Sequence, residues 1–285
     1  MKLPPFDYAC PTTLPEAVQL LAARDGDAKA IAGGQSLVPM LAFRLAQPTL
    51  LVDLRKLADL RGIRISAKGV TLGAMVRWRD IEDDERLDTA HPLLKAAIAH
   101  VAHYQVRNRG TVGGSLAHAD PAAEMPGIAM TCDAEIAVVG KSGAHVIQAA
   151  DFFQGALTTA LTPDEIIVEI RLPVWPAGRR WGFEEFARRR GDFAMAAAAV
   201  FYDQDESGKA RNAHVGVIGV ADRPLRLPAV EDVLNGRAID AAIVAKAEAA
   251  TSAAVDPQDD IHASAAYRRA LVGTLVERAL KRAAT

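Results

Sequence analysis

Two glycine pairs with hydroxyl-bearing neighbours constrain this chain more than any other feature. The first is Ala32-Gly33-Gly34-Gln35-Ser36, directly after the apolar run 28–32, and the second is Thr111-Val112-Gly113-Gly114-Ser115. A backbone without side chains lets a ligand approach closely and adopts positive φ freely, so successive N–H groups can converge on one anion. Serine or threonine beside each pair adds a hydroxyl donor suited to phosphate oxygens. Two such turns point to a pyrophosphate gripped from two sides. Either pair alone reads equally well as an ordinary glycine turn.

Around the first pair the chain reads as strand, glycine turn, helix and strand. Thr12 or Thr13 caps a helix over 14–24, with Glu16 in its first turn. A buried strand follows over 28–32, then a short helix over 37–45 and a second strand over 50–53. That order predicts a small βαβ unit with its anion site at the turn. The dinucleotide fingerprint is absent, because Gln35-Ser36 follow the pair and no third glycine opens the helix.

From Gly62 the texture changes. Ile63-Arg64-Ile65 and Val70-Thr71-Leu72 alternate as a hairpin around Lys68-Gly69. A helix is predicted over 93–103 behind His91-Pro92, and Asp120-Pro121 is expected to open another through Met130. A second hairpin covers 135–139 and 145–148, and a strand runs over 165–172. Pro173-Val174-Trp175-Pro176 marks a boundary. Beyond it, strands over 183–188, 193–202 and 213–220 and helices over 229–234, 241–253 and 262–284 complete an α+β chain. The divisions fall at 1–56, 57–176 and 177–285.

At 285 residues the chain is longer than one core usually requires, and half its residues are hydrophobic. A formal charge of -2 gives no basic surplus for nucleic acid. The longest apolar stretch, 194–201, is too short to span a bilayer, and the start Met1-Lys2-Leu3-Pro4-Pro5 lacks a signal-peptide core. Cytoplasm is the expected compartment. Cys10 and Cys132 stand apart from each other and from the scattered histidines, so neither an iron–sulfur centre nor a zinc site is expected here. Cys132 reads as a buried small hydrophobe.

The second pair sits in a more specific context, Gln105-Val106-Arg107-Asn108-Arg109-Gly110 before it and Leu116-Ala117-His118-Ala119-Asp120-Pro121-Ala122-Ala123-Glu124 after it. Together with residues 32–36, this stretch resembles the FAD-binding medium subunit of the molybdenum hydroxylases. That family includes aerobic carbon monoxide dehydrogenase and the flavin portion of xanthine dehydrogenase. Pro4 to Tyr8 looks like the family's amino-terminal entry, and Arg188-Arg189-Arg190-Gly191-Asp192-Phe193-Ala194 like the start of its carboxy-terminal domain. The resemblance implies a two-subdomain FAD-binding fold of the vanillyl-alcohol-oxidase type, followed by a domain of antiparallel sheet and helices.

Carried over by position, the resemblance implies that Ala32, Gly33, Gly34, Gln35 and Ser36 cradle the pyrophosphate of FAD from one side. Thr111, Gly113, Gly114 and Ser115 would do so from the other. Asp120 and Glu124 would accept hydrogen bonds from ribose or ribityl hydroxyls; their plainer reading is a helix cap and a first-turn charge. Ile166 and Ile167 would lie near the isoalloxazine ring, or form ordinary strand core. Asp192-Phe193 matches a turn whose aromatic approaches the flavin, where a tyrosine is expected in the carbon monoxide dehydrogenase branch. Arg107 and Arg109 read as a solvated or subunit-facing edge, and His118 as a structural hydrogen bonder.

The function so implied is electron transfer. The resemblance implies a large molybdenum-cofactor subunit and a small iron–sulfur subunit as partners in a dimer of heterotrimers, with FAD here passing electrons to NAD, quinone or dioxygen. No Ser-His-Asp, Cys-His or paired-carboxylate spacing suggests chemistry outside the cofactor. Two other readings stay open: a free-standing FAD-dependent oxidoreductase of the same fold, and a nucleotide-binding module without redox function.

Overall fold

Residues 2–284 are described by the structure, a computed structural model of the chain. Helix α1 (Leu14–Ala22) begins where Thr13 accepts the Glu16 N–H, and it buries Ala17, Val18 and Leu21. Those residues pack on a parallel sheet of β1 (Asp7–Ala9), β2 (Ala28–Ile31) and β3 (Leu50–Asp53), ordered β1-β3-β2. Helix α2 (Leu37–Ala42) crosses from β2 to β3, so the βαβ unit forms. It stops short of Leu45 because Arg44 turns left-handed, with φ 60°.

The central region is a five-stranded antiparallel sheet. It contains β4 (Ile63–Ser66), β5 (Gly69–Gly73), β6 (Glu135–Gly140), β7 (Gly143–Gln148) and, after the small hairpin β8 (Phe153–Gly155) and β9 (Thr158–Thr159), β10 (Ile166–Leu172). Their order is β4-β5-β10-β6-β7. Helices α3 (Trp78–Asp83), α4 (Leu87–Ala90), α5 (Pro92–Ile98), α6 (Tyr104–Arg107), α7 (Val112–His118), α8 (Glu124–Thr131) and α9 (Ala149–Phe152) also belong to it. In this region two helix boundaries differ from the sequence reading. The helix expected over 93–103 breaks, because Ala102 adopts φ 42° and Arg107 Nη1 donates to the carbonyls of Val101 and Ala102, both at 3.0 Å. Asp120 does not open α8 directly; its carboxylate accepts the Ala122 N–H at 2.9 Å, and the resulting turn delays the helix to Glu124.

The apolar run 194–201 has its explanation in the third sheet, β11 (Arg180–Phe186), β12 (Ala196–Gln204), β13 (Ala210–Ile218) and β14 (Leu225–Arg226). Strand β12 is buried on both faces, so it needs no polar alternation. Ala197, Ala199 and Phe201 join the central core, while Ala196, Ala198, Val200 and Tyr202 face α10 (Pro228–Leu234), α11 (Ala241–Ala254) and α12 (Ala265–Ala284). Among the described residues no helix is long and apolar enough to cross a membrane.

Two contacts fix the third sheet against the central region. Helix α8 lies on β13 through missing side chains: a Cβ at Gly216 would fall 1.8 Å from Thr131 Oγ1, and one at Gly127 would fall 2.6 Å from Ile218 Cγ2. In the connecting segment, the Arg179 guanidinium lies 5.0 Å from the Trp175 ring centroid and 4.5 Å from that of Phe201. It also makes two hydrogen bonds to Asp203, at 2.9 and 3.0 Å. His91 packs on the other end of this stack, 4.6 Å from Trp175.

Candidate functional site

The first glycine pair meets, backbone to backbone, the segment that leads into the second. A Cβ on Gly33 would lie 2.2 Å from the Arg109 carbonyl oxygen and 2.9 Å from Gly110 Cα. Only glycine permits that approach. Gly34 takes φ +73°, and Gln35 Nε2 donates to the Gly33 carbonyl at 3.0 Å, which folds the turn onto itself. The backbone N–H groups of Gly33, Gly34, Gln35 and Ser36 have no protein acceptor among the described residues. All four residues are half-buried, so these donors sit in a recess.

The second pair is built differently from the expected open loop. It forms the first turn of α7, and its amides are already engaged. Val112 N–H donates to the Val76 carbonyl at 2.9 Å, Gly113 N–H to that of Ala74 at 2.8 Å, and Gly114 N–H to Thr111 Oγ1 at 3.2 Å. Ser115 N–H donates to the Thr111 carbonyl. Gly113 is buried, and a Cβ there would strike Ala74 Cβ at 2.6 Å. Its absent side chain therefore serves packing. Gly114 faces the first turn instead, with Ala32 Cβ 3.8 Å from the place its own Cβ would take. The division of labour is plain: the first turn offers free N–H donors, and the second a bare surface flanked by the hydroxyls of Thr111 and Ser115.

A cleft of about 430 Å³ opens beside the first turn, lined by Ala32, Gly33, Gly34, Gln35, Asp53 and Arg109 among others. Arg55 reaches it too. Asp53 closes its floor at the carboxyl end of β3 and is 1% exposed. Burial alone would raise its carboxyl, but hydrogen bonds from Arg55 and from Tyr8 Oη (2.8 Å) outweigh that and hold it below the usual carboxylate range. Sequence reasoning passed over Asp53 and Arg55 and set Arg109 aside as a surface cation. A signal for Asp53 was present, since ligands of parallel sheets gather at carboxyl strand ends.

The remaining candidates lie apart from this cleft. Ile166 and Ile167 are both buried, on opposite faces of β10: Ile166 in the amino-terminal core and Ile167 in the central one. Phe193 is 67% exposed on the turn between β11 and β12. That turn is held where Gly191, at φ +89°, presses on the His103 ring. Asp120 is half-buried and occupied with its own turn. Glu124 is buried at the start of α8. Burial, opposed by a hydrogen bond from its own backbone N–H and reinforced by Asp120, pushes its carboxyl up to about 7. It is thus no permanently ionised acceptor.

Residues 4–175 match the family model described as the FAD binding domain in molybdopterin dehydrogenase, and residues 181–283 match the CO dehydrogenase flavoprotein C-terminal domain. The chain is 38% identical to the 6-hydroxypseudooxynicotine dehydrogenase complex subunit alpha of Paenarthrobacter nicotinovorans, over 99% of this chain and 96% of that protein. It is 37% identical to the carbon monoxide dehydrogenase medium chain of Afipia carboxidovorans, over 98% and 96%. Among solved structures, quinoline 2-oxidoreductase from Pseudomonas putida 86 superposes with a TM-score of 0.94 at 40% identity, covering 100% of this chain and 98% of that one.

Proposed function

Because the chain belongs to the FAD-binding medium-subunit family of the molybdenum hydroxylases, we propose that it carries electrons from an iron–sulfur partner to an external acceptor through FAD held at the two glycine turns. The observation that carries this reading is the backbone contact of Gly33 with Arg109 and Gly110, which leaves four unpaired N–H donors beside a cleft. Those residues fit the cofactor. Free amides in a half-buried recess suit a pyrophosphate, and the Thr111 and Ser115 hydroxyls suit its second side. Arg109 adds a positive charge at the same cleft.

Bound there, FAD supplies storage for two electrons and their exchange with one-electron partners. The chain's own residues supply binding and orientation. Gly33 to Ser36 anchor the phosphates, Gly114 leaves room for them, and Asp53 holds Arg55 at the cleft wall through a 2.6 Å hydrogen bond from its Nε. Glu124 is proposed as the ribityl or ribose ligand. A large molybdenum-cofactor subunit and a small iron–sulfur subunit, two copies of each with two of this chain, complete the proposed assembly, in the cytoplasm.

The test is the absorption spectrum of the purified chain, then release of its chromophore by acid. Flavin bands and free FAD are the expected result. A colourless chain that takes up no added FAD, alone or with its partner subunits, overturns the reading. Rapid turnover of a substrate by the isolated chain would instead mark a self-sufficient oxidoreductase.

A further inference from the structure

The parallel sheet brings a second cation to the first glycine turn. Ile31 on β2 pairs with Asp53 on β3, so the turn that opens at Ala32 and the short 3-10 turn Leu54–Lys56 leave the sheet side by side. Tyr8, on β1, reaches the same point from the other side of β3. There the Asp53 carboxylate gathers its donors. Oδ1 accepts the Arg55 backbone N–H at 2.9 Å. Oδ2 accepts the Tyr8 hydroxyl at 2.8 Å and Arg55 Nε at 2.6 Å, with Arg55 Nη2 closing the fork.

Exposure divides the labour within this cluster. The Asp53 side chain is 1% exposed and that of Arg55 59%. The carboxylate is therefore the anchor, and the guanidinium is the part a ligand meets. Nε and Nη2 are tied to Asp53, whereas Nη1 has no partner among the described residues. An exposed arginine ordinarily loses rotamer freedom when it binds; this one is already fixed by a buried group. Arg109, whose guanidinium is likewise unpaired among the described residues, lines the same cleft.

We propose that Arg55 is a cofactor-binding residue whose Nη1 donates to a phosphate of the FAD diphosphate, alongside the free amides of residues 33–36. The inference rests on the reading that FAD is held at this turn. A diphosphate offers more acceptor lone pairs than the amides of one turn can serve, and a guanidinium supplies the missing donors together with charge. A bare Asp53 would repel that phosphate. Arg55 thus does two things that can be separated: it cancels the Asp53 charge, and it presents Nη1.

The experiment is an FAD titration of the full-length apo chain, read by flavin fluorescence, with thermal unfolding followed beside it. The variants are Arg55→Gln, Arg55→Lys and the double variant Asp53→Asn/Arg55→Gln. Arg55→Gln is expected to weaken FAD binding about tenfold, the loss of one hydrogen bond to a charged group. Its affinity should also fall less than that of wild type when salt rises from about 0.05 M to about 0.5 M. Arg55→Lys keeps the charge but not the fork that serves Asp53 and the ligand at once, so it should recover the salt dependence and only part of the affinity. The double variant leaves no buried charge stranded, and it should remain about tenfold weak. Should Arg55→Gln fail to fold, the double variant carries the test. A double variant that binds FAD as wild type does would reduce Arg55 to a neutraliser of Asp53 and overturn the inference. Gly33→Ala separates the two levels: if it weakens FAD binding while the Arg55 variants do not, the inference alone fails. If neither weakens it, the reading of the turn as the FAD site fails as well.

Discussion

Substituting Gly33 by alanine tests the site at its narrowest point. The new Cβ would lie 2.2 Å from the Arg109 carbonyl oxygen and 2.8 Å from its carbon. Both are backbone atoms, so no rotamer change relieves the clash. Restoring 2.2 Å to the 3.4 Å at which ordinary contact begins requires the turns to part by about 1.2 Å. A shift of that size carries a 2.9 Å hydrogen bond beyond useful length. Losing two bonds to phosphate at about 1.5 kcal/mol each removes about 3 kcal/mol, or roughly a hundredfold in FAD affinity. Overpacking itself destabilises by about 1–3 kcal/mol, so thermal unfolding must be followed beside the titration. Gly178→Ala is the control: it forces alanine into positive φ, at +78°, which Gly33→Ala does not, but its Cβ meets nothing within 4 Å. Its expected effect is a stability loss of about 1 kcal/mol with unchanged FAD binding. A folded Gly33→Ala chain that binds FAD within threefold of wild type would refute the two-turn grip.

Three further outcomes follow from groups already placed. Arg268 is buried and donates to the carbonyls of Met195 (2.6 Å) and Gly219 (2.9 Å) as well as to Asp260, so Arg268→Ala should lower stability by about 2–4 kcal/mol in urea denaturation. Asp53 has a depressed carboxyl; its stabilisation is present above the ordinary carboxylate range near pH 3.9 and is lost as pH falls below it. Asp53→Asn should therefore flatten the acid limb of the stability curve, and an unchanged limb counts against the Tyr8–Asp53–Arg55 cluster. Glu124 and Glu185 have the opposite sign: raised carboxyls stabilise fully below pH 4.5 and lose that contribution as pH rises through about 7 and about 8. Apo-chain stability should fall over that window, and less steeply in Glu185→Gln.

The sequence revealed most where the cause of structure was local. The hairpin around Lys68-Gly69 was legible because alternation and a turn glycine, at φ +119°, sit within a few residues of each other. The βαβ unit was legible for the same reason, and the motif context of residues 105–124 carried the family. What stayed hidden depends on distant partners. Nothing near Ala102 announces its left-handed turn, because Arg107 stabilises it from the next helix. Gly113 looked like its neighbour Gly114 until Ala74 was found against it. Glu185 carried no signal in the sequence, and it is the packing of β11 against α5 that accompanies its burial. Phe193, expected near the flavin, gave no warning that it would stand so exposed.

The stack of His91, Trp175, Arg179 and Phe201 makes the proline-bounded connection a strut and not a tether. A guanidinium packed on two touching rings and pinned by a carboxylate resists both sliding and rotation. The central region and the third sheet are thus joined before any ligand arrives, so binding does not have to supply the free energy of bringing them together.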